Sequence, residues 1–291
     1  SSNTVDLSNV QVAGSVGGGN TTSGEASNNS VSLSNGTTFT GNLYAGYTGN
    51  GNATGNEVSL YDVSAPGNVY ASYTAKGQAG GIDDDTRSKV TITKSSVTGS
   101  VYGGYTASGT ASYSSVTIID STLENTDKGA AASSVYAGYT VSGEASHNQV
   151  TVSGSNASIQ GRVYGGYGGM AEGNNDSNPG SASQNKVRIE SGSTIGGSVY
   201  GGWNSNGETS GNFIYVDGTV SKGVTAGYTL SGDAAGNEVL VEGGTVFDHL
   251  YGGYTALGSA TGNVITVKGG TVNAEMVGGY DDGTALSLIH I

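Results

Sequence analysis

Cysteine is absent from this 291-residue chain, proline occurs twice, tryptophan once and phenylalanine three times. Without cysteine there is no disulfide, no thiolate nucleophile and no Cys-ligated zinc, although the absence fits a reducing cytosol and an exported protein equally well. Charge is scarce too. Charged residues make up 11% of the chain, where about 25% is usual. The 10 Lys and Arg stand against 23 Asp and Glu, a formal net charge of −13. No basic surface is left to neutralise phosphates, which argues against nucleic-acid binding, and an anionic membrane would repel the chain. No apolar run reaches the ~18 residues of a membrane span, and no basic-then-apolar leader follows Ser1. Hydrophobic residues amount to 34%, below the ~45–50% of an ordinary globular core. Disorder is disfavoured as well, because Val, Ile, Thr and Tyr recur in short strand-like runs.

What the chain has in abundance is glycine, 53 residues, and tyrosine, 18. They are organised by a repeat. The unit Val101-Tyr102-Gly103-Gly104-Tyr105-Thr106 returns at Leu43, Val69, Val135, Val163, Val199 and Leu250, with weaker copies at Val16, Val224 and Met276. Start-to-start steps are 27, 26, 32, 34, 28, 36, 25, 26 and 26 residues. Each unit is followed by a small-residue turn such as Ser142-Gly143-Glu144-Ala145-Ser146, an alternating run such as Asn148-Gln149-Val150-Thr151-Val152-Ser153, and a short piece such as Ser193-Thr194-Ile195. Period-two alternation between Gly, Ser and Asn clusters predicts strands, and no segment has helical period. From the second aromatic to the polar residue opening the next strand is nine residues in Tyr47 to Asn56, Tyr105 to Ser114, Tyr139 to Asn148 and Trp203 to Asn212. Extra length is confined to a few corners, near Gly80–Asp85, Asn125–Gly129 and Gly173–Asp176, as in a solenoid whose coils must stay paired with their neighbours.

A repeat of three short strands cannot bury its own apolar face, so it must stack on copies of itself. The expected fold is an all-β parallel β-helix of about ten coils, spaced ~4.8 Å apart and forming a rod ~45–50 Å long. Residues 1–285 make one solenoid domain. The first position of the unit is apolar in every copy and points inward; the second, Tyr44, Tyr70, Tyr102, Tyr136, Tyr164, Tyr200 and Tyr251 in seven copies, then points outward. The fifth position, aromatic in nine of ten copies, is expected inward or at a corner. Small residues between them allow a tight bend or close approach. The outward tyrosines are read first as a stacking ladder and, more sharply, as a strip of rings for sugar or protein contact. A second column, Asn28, Asn56, Asn148, Asn185, Asn212, Asn237 and Asn263, is expected to form a structural amide ladder, with metal or sugar binding as its alternative.

Candidates for chemistry are sparse. His147, His249 and His290 fit no metal-ligand or triad pattern. Asp83-Asp84-Asp85 and Asn174-Asn175-Asp176 offer oxygens suited to Ca²⁺, but their spacing matches no EF-hand, so solvated loops are expected. Glu208 and Asp233 occupy matching turns and are expected to splay into water. A polysaccharide-active enzyme needs paired carboxylates on one face, and the alternating strands carry mostly Ser and Thr outside. No catalytic residue, metal or cofactor is assigned. An ice-binding Thr array, suggested by Thr91-Ile92-Thr93 and Thr151-Val152, does not recur in every coil.

With repeats of the form Val-Tyr-Gly-Gly-Tyr-Thr, Ser-Gly-Glu-Ala-Ser and Asn-x-Val-Thr-Val-Ser, residues 5–285 resemble the passenger repeats of Gram-negative autotransporters (type V secretion). The resemblance implies a right-handed β-helix, exported and displayed at the cell surface, that serves adhesion or aggregation by contacting a host or sibling-cell protein or glycan. It implies a C-terminal translocator barrel in the full-length protein and no membrane insertion of this segment itself. Leu286–Ile291 breaks the repeat, looks like an adapter-derived tail and is set aside from the fold.

Overall fold

Val, Ile and Leu recur at every second residue of the alternating runs, and those residues become the inner face of a sheet. In the computed structural model, which describes residues 2–124, 133–169 and 180–282, the chain winds through ten coils. Among the described residues there are 36 strands, and thirty of them form three ten-stranded sheets. Every pairing is parallel and joins a strand to its counterpart one coil away.

The first sheet runs from Thr4–Ser8 to Val264–Val267, the second from Gln11–Val12 to Thr271–Val272, and the third, the tyrosine sheet, from Val16–Thr21 to Met276–Asp281. Register is held residue for residue. In the first sheet Val90 pairs with Val116 and Ile92 with Ile118; in the tyrosine sheet Val101 pairs with Val135 and Tyr102 with Tyr136. Two three-stranded patches, built on Ala79–Gly80 and Ala234–Ala235, pair at the corner that follows the tyrosine sheet. The chain is therefore a parallel β-helix of ten coils with three main strands in each.

Its core is thin. A typical coil contributes two aliphatic side chains from the first sheet, one from the second and one from the tyrosine sheet, as Val150, Val152, Ile159 and Val163 do, all at most 1% exposed. Burying each such side chain contributes roughly 1.5–3 kcal/mol before entropy is counted. Stacking makes that possible with few large residues. Outward positions of the first sheet carry Ser32, Ser59, Thr91, Thr117 and Thr151, one above another.

Two details of the corners depart from expectation. The amide ladder contains Asn29 and not Asn28: Asn28 takes the left-handed corner, φ 57°, in line with Gly55 at φ 64°, and Asn29 behind it is buried. Adjacent asparagines made the two positions look alike in sequence, but only the one after the left-handed residue points inward. His147 and Gln184 hold the same left-handed corner, at φ 60° and 56°, one residue ahead of Asn148 and Asn185.

The inserted corner at Gly80–Asp85 changes the ladder as well. Ser88 and Ser114 replace asparagine there, and the backbone N–H of Asn56 donates to Ser88 Oγ at 3.2 Å. Across from Ser88, the fourth position of the repeat is Ser72 instead of glycine, and the two hydroxyls meet at 2.7 Å. In coils with asparagine that position is bare: a Cβ on Gly138 would lie 2.3 Å from Asn148 Nδ2. Gly plus Asn and Ser plus Ser are two ways of filling one space.

Candidate contact face: the tyrosine sheet

Position two of the repeat points outward, as alternation requires, but position five points outward as well. Positions three and four are both buried, for example Gly103 and Gly104 between Tyr102 and Tyr105, so the alternation slips by one at this bend. Of the two placements expected for the fifth position, inward or at a corner, the inward one is thus corrected. The two small residues turn two aromatic columns toward the same surface.

The columns stack. In the first, Tyr44, Tyr70, Tyr102, Tyr136, Tyr164 and Tyr200 have successive ring centroids 4.9, 4.7, 5.1, 4.8 and 5.1 Å apart and planes within 11° of parallel. That spacing matches the ~4.8 Å between strands. The second column is longer and unbroken, from Tyr47 through Trp203 to Tyr280, with centroid steps of 4.5 to 5.9 Å. Between columns the rings meet edge to face, as Tyr136 and Tyr139 do at 5.2 Å and 87°. Each such pair contributes about 0.5–1.5 kcal/mol beyond its area. Thr225 interrupts the first column, so Tyr251 stands apart from Tyr200 and stacks on His249 at 4.5 Å.

Stacking decides what the face offers. Along the interior of each column both faces of a ring are covered by its neighbours, and only edges and hydroxyls remain for contact. Tyr70 and Tyr164 are 7% and 4% exposed, against the expectation of an open strip; each is wedged between two stacked rings. The hydroxyls of Tyr44 and Tyr70 accept hydrogen bonds from Asn42 Nδ2 at 3.1 Å and Asn68 Nδ2 at 3.2 Å. Burial, and then repulsion from neighbouring phenols, pushes Tyr102 and Tyr136 far above the ordinary phenol range, and Tyr70 rises for the same reasons. The face is amphipathic and mostly neutral, with charge at the Tyr164 hydroxyl, where Arg162 donates, and at the Tyr251 hydroxyl, which donates to Glu275.

The asparagine column lies beneath it. Asn148 Nδ2 donates to Asn185 Oδ1 at 3.1 Å and to the Ala111 carbonyl at 2.9 Å, and the Asn148 backbone N–H donates to Asn185 Oδ1 at 2.9 Å. Asn212, Asn237 and Asn263 continue the pattern, and Asn56 holds the Ala26 carbonyl at 2.8 Å. With its donors and acceptor engaged inside the solenoid, Asn148 is fully buried. These amides are engaged inside the solenoid and buried, Asn263 in the last of these coils being the most exposed at 7%.

The remaining candidates stay apart. Asp83 Oδ1 accepts from the Thr86 hydroxyl and backbone N–H, bonds that hold its carboxyl below the usual range. Asp84 pairs with Arg87. Glu208 and Asp233 are exposed, and Asp233 Oδ1 accepts from the Ser259 backbone at 2.8 Å. His147 stacks on Tyr113 at 4.6 Å. Among the described residues no group of three or more His, Asp or Glu is placed to hold a metal ion. Asn174 to Asp176, His290 and the 286–291 tail lie outside the described residues.

No protein-family model, curated protein or solved structure matches the chain.

The second aromatic column, with Tyr47, Tyr73, Tyr105 and Tyr139 in its first half, is the part that residue-level reasoning did not assign to the contact face. Its signal was present: two consecutive small residues between two tyrosines are enough to reset an alternating strand.

Proposed function

We propose that this chain is a segment of a surface-displayed autotransporter passenger, a stiff stalk with an adhesive face used in cell adhesion or aggregation. The observation that supports it best is the unbroken residue-for-residue register of ten coils, with aromatic and amide ladders running along the axis. A rod on the order of 45–50 Å sets surface groups apart from whatever anchors it. The Ser- and Thr-lined first sheet and net charge of −13 keep the rod soluble. The tyrosine sheet, amphipathic and with few charges, is the side suited to contact, because phenols present an apolar body with a polar tip.

The test is display of residues 1–285 on Gram-negative cells through an unrelated translocator barrel. Cells bearing the segment should settle faster or adhere better to matrix-coated surfaces than cells bearing the barrel alone. Unchanged settling and adhesion, together with release of reducing sugar from a polysaccharide, would favour an enzyme on this scaffold instead.

A further inference from the structure

The second aromatic column is a continuous path of oxidisable rings. From Tyr47 through Trp203 to Tyr280, each ring centroid lies 4.5 to 5.9 Å from the next and the planes are within 8° of parallel. In a chain without cysteine, phenol and indole are the side chains that give up one electron most readily. Rings stacked in contact exchange electrons easily, because their π systems overlap across the gap.

A phenol that loses an electron also releases its proton, so each hop needs a proton acceptor. Tyr47, Tyr105, Tyr139 and Tyr228 are partly exposed, and water can serve there. In the first column the Tyr44 and Tyr70 hydroxyls are held by asparagine amides, and Tyr164 accepts from Arg162, a cation that opposes loss of an electron. The ninth coil reverses this. Tyr251 donates to the Glu275 carboxylate, and the Tyr254 hydroxyl faces Asp282 Oδ2 at 3.5 Å. A carboxylate already bonded to the phenol is placed to take its proton as the electron leaves.

Tyr251 is reached from the earlier coils through one ring. Thr225 stands where the first column would carry its aromatic in the eighth coil. Tyr200 and Trp203 therefore both converge on Tyr228, at 5.8 and 5.9 Å. Tyr228 stacks on Tyr254 at 4.8 Å, and Tyr254 meets Tyr251 at 6.1 Å.

We propose that the tyrosine sheet conducts an oxidising equivalent along its axis and holds it at Tyr251, beside Glu275. A one-electron oxidant, such as a hydroxyl or peroxyl radical, takes an electron and a proton from an exposed phenol and leaves a phenoxyl. At each hop the phenoxyl gains an electron from the next ring and a proton from water, while that ring loses its own proton to water. Trp203 takes part through its indole N–H. At Tyr251 the proton passes to Glu275, so the oxidant has been reduced by one electron and one phenoxyl remains next to a neutral glutamic acid. This activity goes beyond the stalk reading and does not depend on display at a cell surface.

The test places the oxidant at the far end of the path. Asn50, exposed and three residues past Tyr47, is replaced by Cys, which becomes the single thiol of the 291-residue chain. It is labelled with a tris(bipyridine)ruthenium complex, which turns into a one-electron oxidant when illuminated with a cobalt(III) ammine as electron acceptor. A nitroso spin trap marks the radical, and peptide mass spectrometry locates the adduct. Tyr251 lies seven coils from Tyr47, ~34 Å along the axis, too far for direct transfer from the label. The labelled chain should carry the adduct at Tyr251. Tyr228→Asn, which supplies the residue that Asn20 already provides at this place in the repeat, should lose that adduct and retain those nearer the label. Tyr228→Trp should keep it, and Glu275→Gln, unable to take the proton, should move adducts from Tyr251 to other rings. Circular dichroism matching the parent shows that each variant is folded. The proposal is overturned if Tyr251 stays unmarked in the labelled parent, if Tyr228→Asn leaves its yield unchanged, or if Glu275→Gln does not reduce it.

Discussion

The Oδ1 of Asn237 accepts two hydrogen bonds from Asn212, one from its backbone N–H at 3.0 Å and one from its Nδ2 at 2.9 Å. One oxygen thereby ties main chain and side chain of one coil to the next, in a position with no access to water. The neighbouring step, Asn185 to Asn212, repeats the geometry at 3.0 Å for both bonds, and Asn212 Nδ2 also holds the Ala182 carbonyl at 3.0 Å.

Asn212→Ala is expected to leave the Asn185 N–H groups and the Ala182 carbonyl without a partner. The stability loss should be about 2–4 kcal/mol, since buried groups stripped of partners cost ~1–3 kcal/mol each and some relaxation follows. Urea denaturation followed by circular dichroism measures it. A loss below about 0.5 kcal/mol, the level of an ordinary surface substitution, would mean the amide ladder is incidental.

Ser114 gives the converse case. Its hydroxyl is buried without a hydrogen-bond partner, and Gly104 opposite it is bare, so this coil has neither the Gly–Asn nor the Ser–Ser filling. Ser114→Asn should let Nδ2 reach the Ala79 carbonyl and the Asn148 amide oxygen, as Asn148 does with Ala111 and Asn185. A gain of about 1 kcal/mol is expected, read as a higher urea midpoint at unchanged slope. A loss would show that the inserted corner at Gly80 has closed the space.

How much of this was legible can be argued from particular residues. Val101, Val135 and their column were readable as buried because alternation and stacking act on them together. Asn148 and Asn212 were readable because their distance from the preceding aromatic is constant. The direction of Tyr105 was not, since it depends on whether Gly103 and Gly104 continue the pleat or bend it, and glycine permits both. Asn29 was hidden beside Asn28, and Ser88 behind a change of residue type.

The tyrosine columns set an alkaline limit. Phenols of Tyr70, Tyr102, Tyr136 and Tyr167 are raised by burial and by one another, so the folded state disfavours their ionisation. Their stabilising contribution is complete below the unfolded phenol pKa, near 10, and is lost as pH rises from there toward the folded values. Stability should fall by about 1.4 kcal/mol per pH unit for each phenol that ionises only on unfolding. Absorbance at 295 nm and circular dichroism, followed from pH 9 to 12.5, should show a substantial share of the tyrosinate appearing together with loss of strand signal. A simple titration near pH 10 with the fold intact would contradict the raised values.

The central claim is that coils lie in register along one axis, and disulfide trapping tests it most directly because the chain has no native cysteine. Thr117 pairs with Thr151 on the outward face of the first sheet, whereas Thr91 lies one coil further away. Neighbouring strands ~4.8 Å apart are within the ~4.4–6.8 Å span of a disulfide, and strands two coils apart are not. Thr117→Cys with Thr151→Cys should oxidise to an intramolecular disulfide in the folded protein, detected by mass spectrometry. Thr91→Cys with Thr151→Cys should remain as free thiols. Equal trapping of both pairs, or trapping of neither, would contradict the stacked solenoid.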